Sequence, residues 1–297
     1  MAEERFSYGG QAVIEGVMIR GRHGYATALR LPTGEIEVAK QPWQPLSKRH
    51  RLLALPIVRG TPALLDALLI GYRSLIASAD AASRGEDMKP PSVWHYALSI
   101  AIALALVVFG FVLLPSAVIP SASHHSVGAV ILKNAAEGLI RLALFVLFIL
   151  AVSFMPDIRR VFQYHGAEHK VIHAYEHTGR YTPEEAAHHR TLHPRCGTSF
   201  IFMVLVVGIL IHALMGWPPL LWRMLSRLLV LPIVAGLAYE LIKLAGAHES
   251  SLLLRALVAP GLWLQKITTR QPAPDQVEVA IRALDGALEL DGVEVHA

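Results

Sequence analysis

The chain has little charge and almost no cysteine. Charged residues make up 17% of its 297 residues and hydrophobic residues 54%, whereas soluble domains carry about 25% charged residues. This composition excludes an ordinary cytosolic globular protein, and it also excludes intrinsic disorder. The single cysteine, Cys196, excludes an intrachain disulfide.

Several common sequence signals are also missing. The first residues, MAEERFSYGGQ, lack an apolar stretch, so we expect no cleavable signal peptide. The sequence has no phosphate-binding G-x-x-x-x-G-K-[ST] loop, no G-x-G-x-x-G motif and no G-x-S-x-G nucleophile elbow. The net charge of +4 does not indicate a nucleic-acid partner, because Lys and Arg gather on the cytoplasmic side of membrane proteins. We expect the lipid bilayer as the partner and no nucleic acid.

The apolar residues are grouped into blocks that approach the ~20 helical residues needed to cross a bilayer. The four blocks run from about Tyr96 to Ile119, Glu137 to Met155, Ser199 to Met215 and Leu225 to Ala245. The sequence therefore predicts a mainly α, polytopic membrane helical bundle of about four transmembrane helices.

The distribution of basic residues predicts the topology. Lys and Arg are frequent before the first block, in the loop 156–198 and in the tail, whereas the loop 120–136 has only Lys133. The positive-inside rule then places both termini and the loop 156–198 in the cytoplasm. Arg223 and Arg227 conflict with this scheme, because they fall on the opposite side.

The segments outside the blocks predict smaller units. AVIEGVMIR, GYATALRL and EIEVAK predict strands of a cytoplasmic β unit at about 8–43, with a hairpin at Pro32-Thr33-Gly34. Leucines at helical spacing between Arg51 and Ala82 predict an amphipathic helix, lying on the membrane or packed on the protein's own core. We divide the chain into a β-rich unit at 1–50, an interfacial helix at 51–90, a transmembrane bundle at 91–270 and a tail at 271–297. In the tail region, LLLRALVAPGLWLQKITTR predicts an interfacial helix broken at Pro260-Gly261, and VEVAIRALDGALEL a short soluble helix.

The most informative stretch is HGAEHKVIHAYEH, in which four histidines recur every four residues. Such spacing places His165 and His169 one above the other on a helix, where they can hold one metal ion. With Glu168 they match the H-x-x-E-H template, in which two histidines bind zinc and the glutamate is the general base. A third ligand is needed, and the candidates are His173, Glu176, His193, Cys196 and Glu240.

A second block, GGQAVIEGVMIRG, carries an acidic residue within an apolar strand. Glu15 could help to build a substrate or metal site with Arg20, or it could lie on the solvated face of a β ribbon. The glycines of this block permit sharp turns or the close approach of the backbone to another group.

Long motifs of this chain resemble a bacterial membrane family called DUF1385, or YqhQ-like. The matching segments are GGQAVIEGVMIRG, RGTPALLDALLIGYRSL, DIRRVFQYHGAEHKVIHAYE, HPRCGTSF, LPIVAGLAYELIKLAG and PGLWLQKITTRQPAPDQVEVAIRAL. The resemblance implies an integral membrane protein and a metal-dependent enzyme without an established reaction. It carries over to His165, Glu168, His169, Glu176, His193, Cys196 and Glu240.

Three functions remain open from the sequence. The first is a membrane-embedded hydrolase with a divalent metal, zinc before iron, which includes the possibility of a peptidase acting at the cytoplasmic interface. The second is a di-iron membrane oxidase, since HxxxH spacings recur, although the HxxHH box of such enzymes is absent. The third is a non-catalytic scaffold, transporter subunit or assembly factor, whose His/Glu cluster is structural. The substrate or protein partner is not identified, and a homo-oligomer is one possible assembly.

Overall fold

The computed structural model describes residues 6–84, 93–119, 126–248 and 251–295. The described part is mainly helical, with one small antiparallel sheet near the N-terminus. The boundary that we placed between residues 90 and 91 lies outside these ranges. The order of strands in the sheet is β1-β2-β3-β4, and their bounds are Gly9–Val13, Gly16–Arg20, Gly24–Arg30 and Ile36–Pro42.

The first two strands differ from the prediction. AVIEGVMIR was expected to be one strand, but it forms a hairpin in which Val13 pairs with Gly16 across the two residues Ile14 and Glu15. Glu15 adopts a positive φ of 51°, a conformation that glycine or asparagine would have signalled in the sequence. The predicted hairpin at residues 32–34 is present, with Gly34 at a φ of 91°.

Eleven α-helices are seen in the described residues. Helices α1 to α4 are Gly60–Ala82, Val93–Val108, Leu114–Val118 and Val127–Ser153, with a π-helical turn at Phe109–Leu113 between α2 and α3. Helices α5 to α8 are Pro156–Thr178, Pro183–His188, Gly197–Leu214 and Leu220–Leu229. Helices α9 to α11 are Leu231–Ala247, Leu252–Thr268 and Pro274–Leu290, and short 3₁₀ turns occupy Leu46–Lys48 and Arg51–Ala54.

Within the described ranges, four helices are long and apolar enough to cross a membrane: Gly60–Ala82, Ala97–Val118, Val127–Ser153 and Gly197–Leu214. Three of them agree with predicted blocks, although the second block begins ten residues earlier than expected, at Val127. The fourth block is a bent pair, α8 and α9, with an angle of 45° between them. Pro232, in the first turn of α9, lacks the N–H that would continue α8.

The sheet and three helices form a three-layer unit. Val17 and Ile19 of β2 pack with α5 and α11, in a core that includes Tyr164 and Leu284. The other face of the sheet packs on α1, where Met18 lies in one cluster with Ile70. The tail helix α11 is thus part of the same core as the N-terminal strands, which are more than 230 residues away in the sequence.

Helix α1 turns its polar side towards the protein. Asp66 is fully buried and accepts hydrogen bonds from the Trp43 indole and the Leu46 amide, at 3.1 and 3.0 Å. Ser74 contacts Thr27 of β3 at 3.1 Å. The exposed side of the same helix carries large apolar residues, namely Leu65, Leu68, Leu69, Tyr72 and Leu75.

Helix α10 also differs from the prediction. Residues 252–268 form one helix that continues through Pro260 instead of breaking there. Gly261 is packed so closely on Ser199 that a Cβ would lie 2.9 Å from the Ser199 hydroxyl. The contact joins α10 to the first turn of α7, and this junction is where the candidate site lies.

Candidate metal centre

Helix α5 presents the histidine motif. It begins with Pro156 in the first turn and ends at Gly179, whose φ of 73° suits the left-handed C-cap. His165 and His169 lie one turn apart on it, with their ring centroids 4.4 Å from each other. The spacing that predicts two histidines on one helical face is matched in the structure.

A glycine on α5 lets another segment of backbone approach His165. A Cβ on Gly166 would lie 1.9 Å from the carbonyl oxygen of Arg270, and the Arg270 amide donates to the Phe162 carbonyl at 2.8 Å. This close approach places the Thr268 carbonyl 2.9 Å from His165 Nδ1. A carbonyl only accepts, so Nδ1 carries a proton, and Nε2 is the ring nitrogen that could bind a metal after losing its own proton.

The second histidine is held in the same way. His169 Nδ1 lies 2.5 Å from the Thr191 carbonyl oxygen, which again leaves Nε2 as the ring nitrogen that could bind a metal. Backbone carbonyls on the second ring nitrogen are a common feature of metal-binding histidines, because they fix the tautomer and the ring orientation.

Cys196 completes the group from a distant part of the sequence. It is the N-cap of α7, and its Sγ lies 3.2 Å from His165 Nε2. Among the described residues, His165, His169 and Cys196 form the group of ligand atoms that lie within 4.8 Å of one another. Ligands of a tetrahedral zinc lie roughly 3.3–3.8 Å apart, given metal–ligand distances of about 2.0–2.3 Å. The donor types suit zinc, and the 3.2 Å between His165 Nε2 and Cys196 Sγ is close to this spacing.

The loop that carries Cys196 is fixed by a buried glutamine of α10. Gln265 Oε1 accepts from the His193 amide, and its Nε2 donates to the His193 carbonyl and the Ser199 hydroxyl, all at 2.8 Å. Gln265 has no exposed surface. Its three bonds hold both ends of the turn that contains Cys196.

Glu168 lies beside the two histidines but outside the group of three. Its Oε2 is 3.6 Å from His169 Nε2 and 3.9 Å from His165 Nε2. Glu168 is only 3% exposed, and Oε2 has no hydrogen-bond partner among the described residues. A Cβ on Gly10 of β1 would lie 2.9 Å from Glu168 Cγ, so this glycine allows the strand to cover the carboxylate.

The electrostatics of the thiol and the first histidine are coupled. Burial alone would lower the pKa of His165, but the adjacent Cys196 sulfur and the Glu168 carboxylate raise this pKa to about 9. Burial alone would raise the pKa of the Cys196 thiol, but the adjacent charges of His165 and His169 hold it well below its usual range. The thiolate is the form of cysteine that binds metals and acts as a nucleophile.

Two other candidates, Glu176 and His193, lie next to each other beside Arg195. Arg195 Nη2 donates to both carboxylate oxygens of Glu176 at 2.6 and 2.5 Å, and His193 Nε2 lies 3.5 Å from Oε2. Burial opposes ionisation of Glu176, but His193 and Arg195 lower its pKa below the usual range. Both residues therefore support the loop before α7 instead of joining the group of three.

His173 also lies outside the group. Its Nε2 is 2.8 Å from the Leu192 carbonyl oxygen. Burial, together with the nearby His193, lowers the pKa of His173 to about 4, so this ring is neutral at pH 7. It packs against His193 with 4.7 Å between the ring centroids.

The structure does not bring Glu240, Glu15 or Arg20 to the centre. Glu240 accepts from Arg59 Nε and Nη2 at 2.6 and 2.5 Å. Glu15, at the tip of the first hairpin, pairs with Arg160 and accepts from the Tyr164 hydroxyl at 3.1 Å. Arg20, at the other end of that hairpin, lies 3.5 Å from Asp66. Each of these three charged side chains therefore has an oppositely charged partner away from the centre.

The supporting residues were not found from the sequence. Gln265, Ser199 and the carbonyls of Thr191 and Thr268 become neighbours of the centre only through tertiary packing. Gly166 had a local signal, since a glycine within a long helix marks a close approach of another segment. The signal does not say which segment approaches.

The fold and the site together define a class: a mainly helical protein with four apolar candidate spans, a small sheet and a buried His/Cys/Glu centre. The chain belongs to the DUF1385 family, described as a protein family of unknown function, whose model matches residues 55–290. It is 35% identical to a Bacillus subtilis (strain 168) protein named "Uncharacterized protein YqhQ", over 97% of this chain and 94% of the relative. No solved structure matches the chain.

We predict that Gln265→Leu loosens the centre without removing any of its side-chain ligands. The substitution leaves the buried His193 amide without its partner, which costs about 1–3 kcal/mol, while the His193 carbonyl keeps only the Cys196 amide at 3.3 Å. Because Cys196 is the sole cysteine, mass spectrometry of iodoacetamide-treated protein measures the exposure of its thiol. We expect alkylation several-fold faster than in the wild type.

The matched control is Gln44→Leu, at an exposed position of the loop after β4. This variant should be alkylated at the wild-type rate. Equal rates for Gln265→Leu and the wild type would show that the glutamine does not hold the turn.

Proposed function

We propose that this protein is a membrane-embedded, metal-dependent hydrolase, with zinc as the first candidate for its metal. The observation that carries the proposal is the convergence of His165 Nε2, His169 Nε2 and Cys196 Sγ beside a buried carboxylate. Two imidazoles and a thiolate suit zinc, and three protein ligands leave a fourth position open, as catalytic zinc sites require.

The roles of the protein's own groups follow from their positions. His165 and His169 would hold the metal through Nε2, with the Thr268 and Thr191 carbonyls fixing both rings. A bound zinc would act as a Lewis acid and would lower the pKa of a water molecule. Glu168 would accept the proton of the attacking water through Oε2, which has no other partner among the described residues. The neighbouring Glu176–Arg195 pair would keep the Cys196 turn in place.

The exposed apolar surface supports the bilayer as the partner. α1 buries its polar side and exposes leucines, and few residues of the three other candidate spans are fully buried. Water-soluble monomers rarely expose apolar areas of this extent. The centre lies between the three-layer unit and the first turn of α7, so we place it at the membrane interface. Cytoplasmic termini follow from the distribution of basic residues, and a bacterial inner-membrane location follows from the family resemblance.

A second function uses the same residues without a metal. Cys196 lies at the start of a helix, where the dipole stabilises a thiolate, and His165 Nε2 is 3.2 Å from its sulfur. A cysteine–histidine pair oriented by a third group, here the Thr268 carbonyl, is also the arrangement of a nucleophilic hydrolase. A di-iron oxidase receives no comparable support, since one three-residue ligand group is found in the described part of the chain.

The metal is tested directly by elemental analysis. Untagged protein purified in mild detergent should contain about one zinc per chain, and the His165→Ala/His169→Ala double variant should contain none. Glu168→Gln should keep its metal, because the carboxylate lies outside the ligand group. Exposed His188→Ala is the matched control and should keep it too. Equal metal in the double variant and the control would contradict the assignment.

Alkylation of Cys196 separates the metal site from the cysteine–histidine pair. If Cys196 is a ligand, added zinc should slow its reaction with iodoacetamide by about tenfold or more, because a bound thiolate is a poorer nucleophile. If the pair acts alone, zinc should leave the rate unchanged and His165→Ala should slow the reaction at pH 7. Zinc-independent, His165-dependent alkylation would therefore overturn the metal proposal in favour of the second function.

A further inference from the structure

A second buried cluster of charges lies away from the candidate metal centre, where α3, α4 and α8 meet. It contains the carboxylate of Glu137 and the guanidinium groups of Arg141, Arg223 and Arg227. Glu137 and Arg223 are each 1% exposed and Arg227 is 5% exposed. Burial of this many charges is costly, and in a helix of membrane-spanning length it indicates function.

The carboxylate of Glu137 is the main acceptor of hydrogen bonds in this cluster. Its carboxylate accepts from Arg227 Nη2 at 2.9 Å, from the Ser116 hydroxyl at 2.7 Å and from Arg141. Arg227 Nη2 also donates to Asn134 Oδ1 at 2.8 Å. One carboxylate thus serves two arginines, and its hydrogen-bonding capacity is largely used.

Arg223 has no carboxylate partner among the described residues. Its Nη2 donates to the carbonyls of Ser116 and Ile119, and its guanidinium lies 4.0 Å from the ring centroid of Trp217. Three guanidinium groups therefore face one carboxylate, which leaves an excess of positive charge inside the protein.

Several buried donors of this cluster have no hydrogen-bond partner within the described residues. They are Nε and Nη1 of Arg223, Nη1 of Arg227 and Nε1 of Trp217. Buried donors on charged groups that lack acceptors cost more than neutral ones, so the cluster is built for an acceptor that carries negative charge.

We propose that Arg223 and Arg227 bind a phosphate-type oxyanion. Arg223 and Arg227 lie one turn apart on α8, and the guanidinium fork matches the oxygen geometry of phosphate. These two arginines are also the ones that lie on the side of the membrane where the positive-inside rule disfavours Lys and Arg. A bound anion would account for their presence on that side. The proposal rests on the membrane insertion proposed above, but it does not depend on the metal.

The surroundings of α8 suit a phospholipid headgroup as the source of the phosphate. α8 turns its two arginines inward and exposes apolar side chains, with Leu221 67%, Trp222 64% and Leu229 74% exposed. Tryptophan is enriched at the level of lipid headgroups. A free phosphate ion has the same recognition chemistry, and the experiment separates the two sources.

The test measures the melting temperature of the full-length protein in a neutral detergent. Dihexanoyl phosphatidylglycerol should raise it by about 3 °C or more, because a ligand that binds only the folded state stabilises it. Dihexanoyl phosphatidylcholine, whose choline offsets the phosphate charge, should not. The free ion would be assigned by a different pattern. In that case, inorganic phosphate at millimolar concentration would raise the melting temperature by the same amount and only when Arg223 is present, and phosphatidylglycerol would not raise it.

Variants decide whether the effect arises at this cluster. Arg223→Gln should abolish the rise, Arg223→Lys should reduce it because the fork is lost, and exposed Arg159→Gln on α5 should keep it. A rise that persists in Arg223→Gln, or no rise with either anion in the wild type, would overturn the proposal. If Arg223→Gln does not fold, the comparison of Arg223→Lys with Arg159→Gln decides.

Discussion

The buried carboxylate of Glu168 is the constraint on which the centre depends. A carboxylate at 3% exposure is costly to bury unless polar or positively charged groups lie beside it. Here those groups are the two histidines, or a metal that they would hold. The surrounding packing serves this arrangement: Gly10 lets a strand cover the carboxylate, and Gly166 lets residues 268–270 reach the histidine helix. The N-terminal strands and the C-terminal helices thus both pack against the part of α5 that carries Glu168.

The three-layer unit explains why so much of the chain is needed. α5 packs on the sheet and on α11, while α10 reaches back to the loop that carries Cys196. The centre therefore lies where a domain of sheet and helices meets the apolar helices. A hydrolase acting on substrates at a membrane surface would need a site of this kind. The buried cluster of Glu137, Arg141, Arg223 and Arg227, by contrast, is formed by helices without any contribution from the sheet.

The sequence predicted what depends on local periodicity. The four-residue spacing of histidines placed His165 and His169 on one helical face. Hydropathy found three of the four candidate spans, but it missed α1. The sequence did not predict what tertiary packing decides. Cys196 was one of five third-ligand candidates because its approach to His165 depends on the folding of 30 intervening residues. Glu240 had been attractive as a charge in an apolar helix, but Arg59, far away in the sequence, neutralises it. The turn at Ile14 and Glu15 lacked glycine or asparagine at its tip, so the strand appeared continuous.

The central claim is that a metal binds to two imidazoles and one thiolate. X-ray absorption at the zinc edge of the purified protein measures this coordination directly. The account predicts one sulfur at about 2.3 Å and two nitrogens at about 2.0–2.1 Å, with the remaining coordination supplied by oxygen. Loss of the sulfur contribution in Cys196→Ser would identify the thiolate. A spectrum without sulfur in the wild type, or one made only of oxygen ligands, would contradict the account.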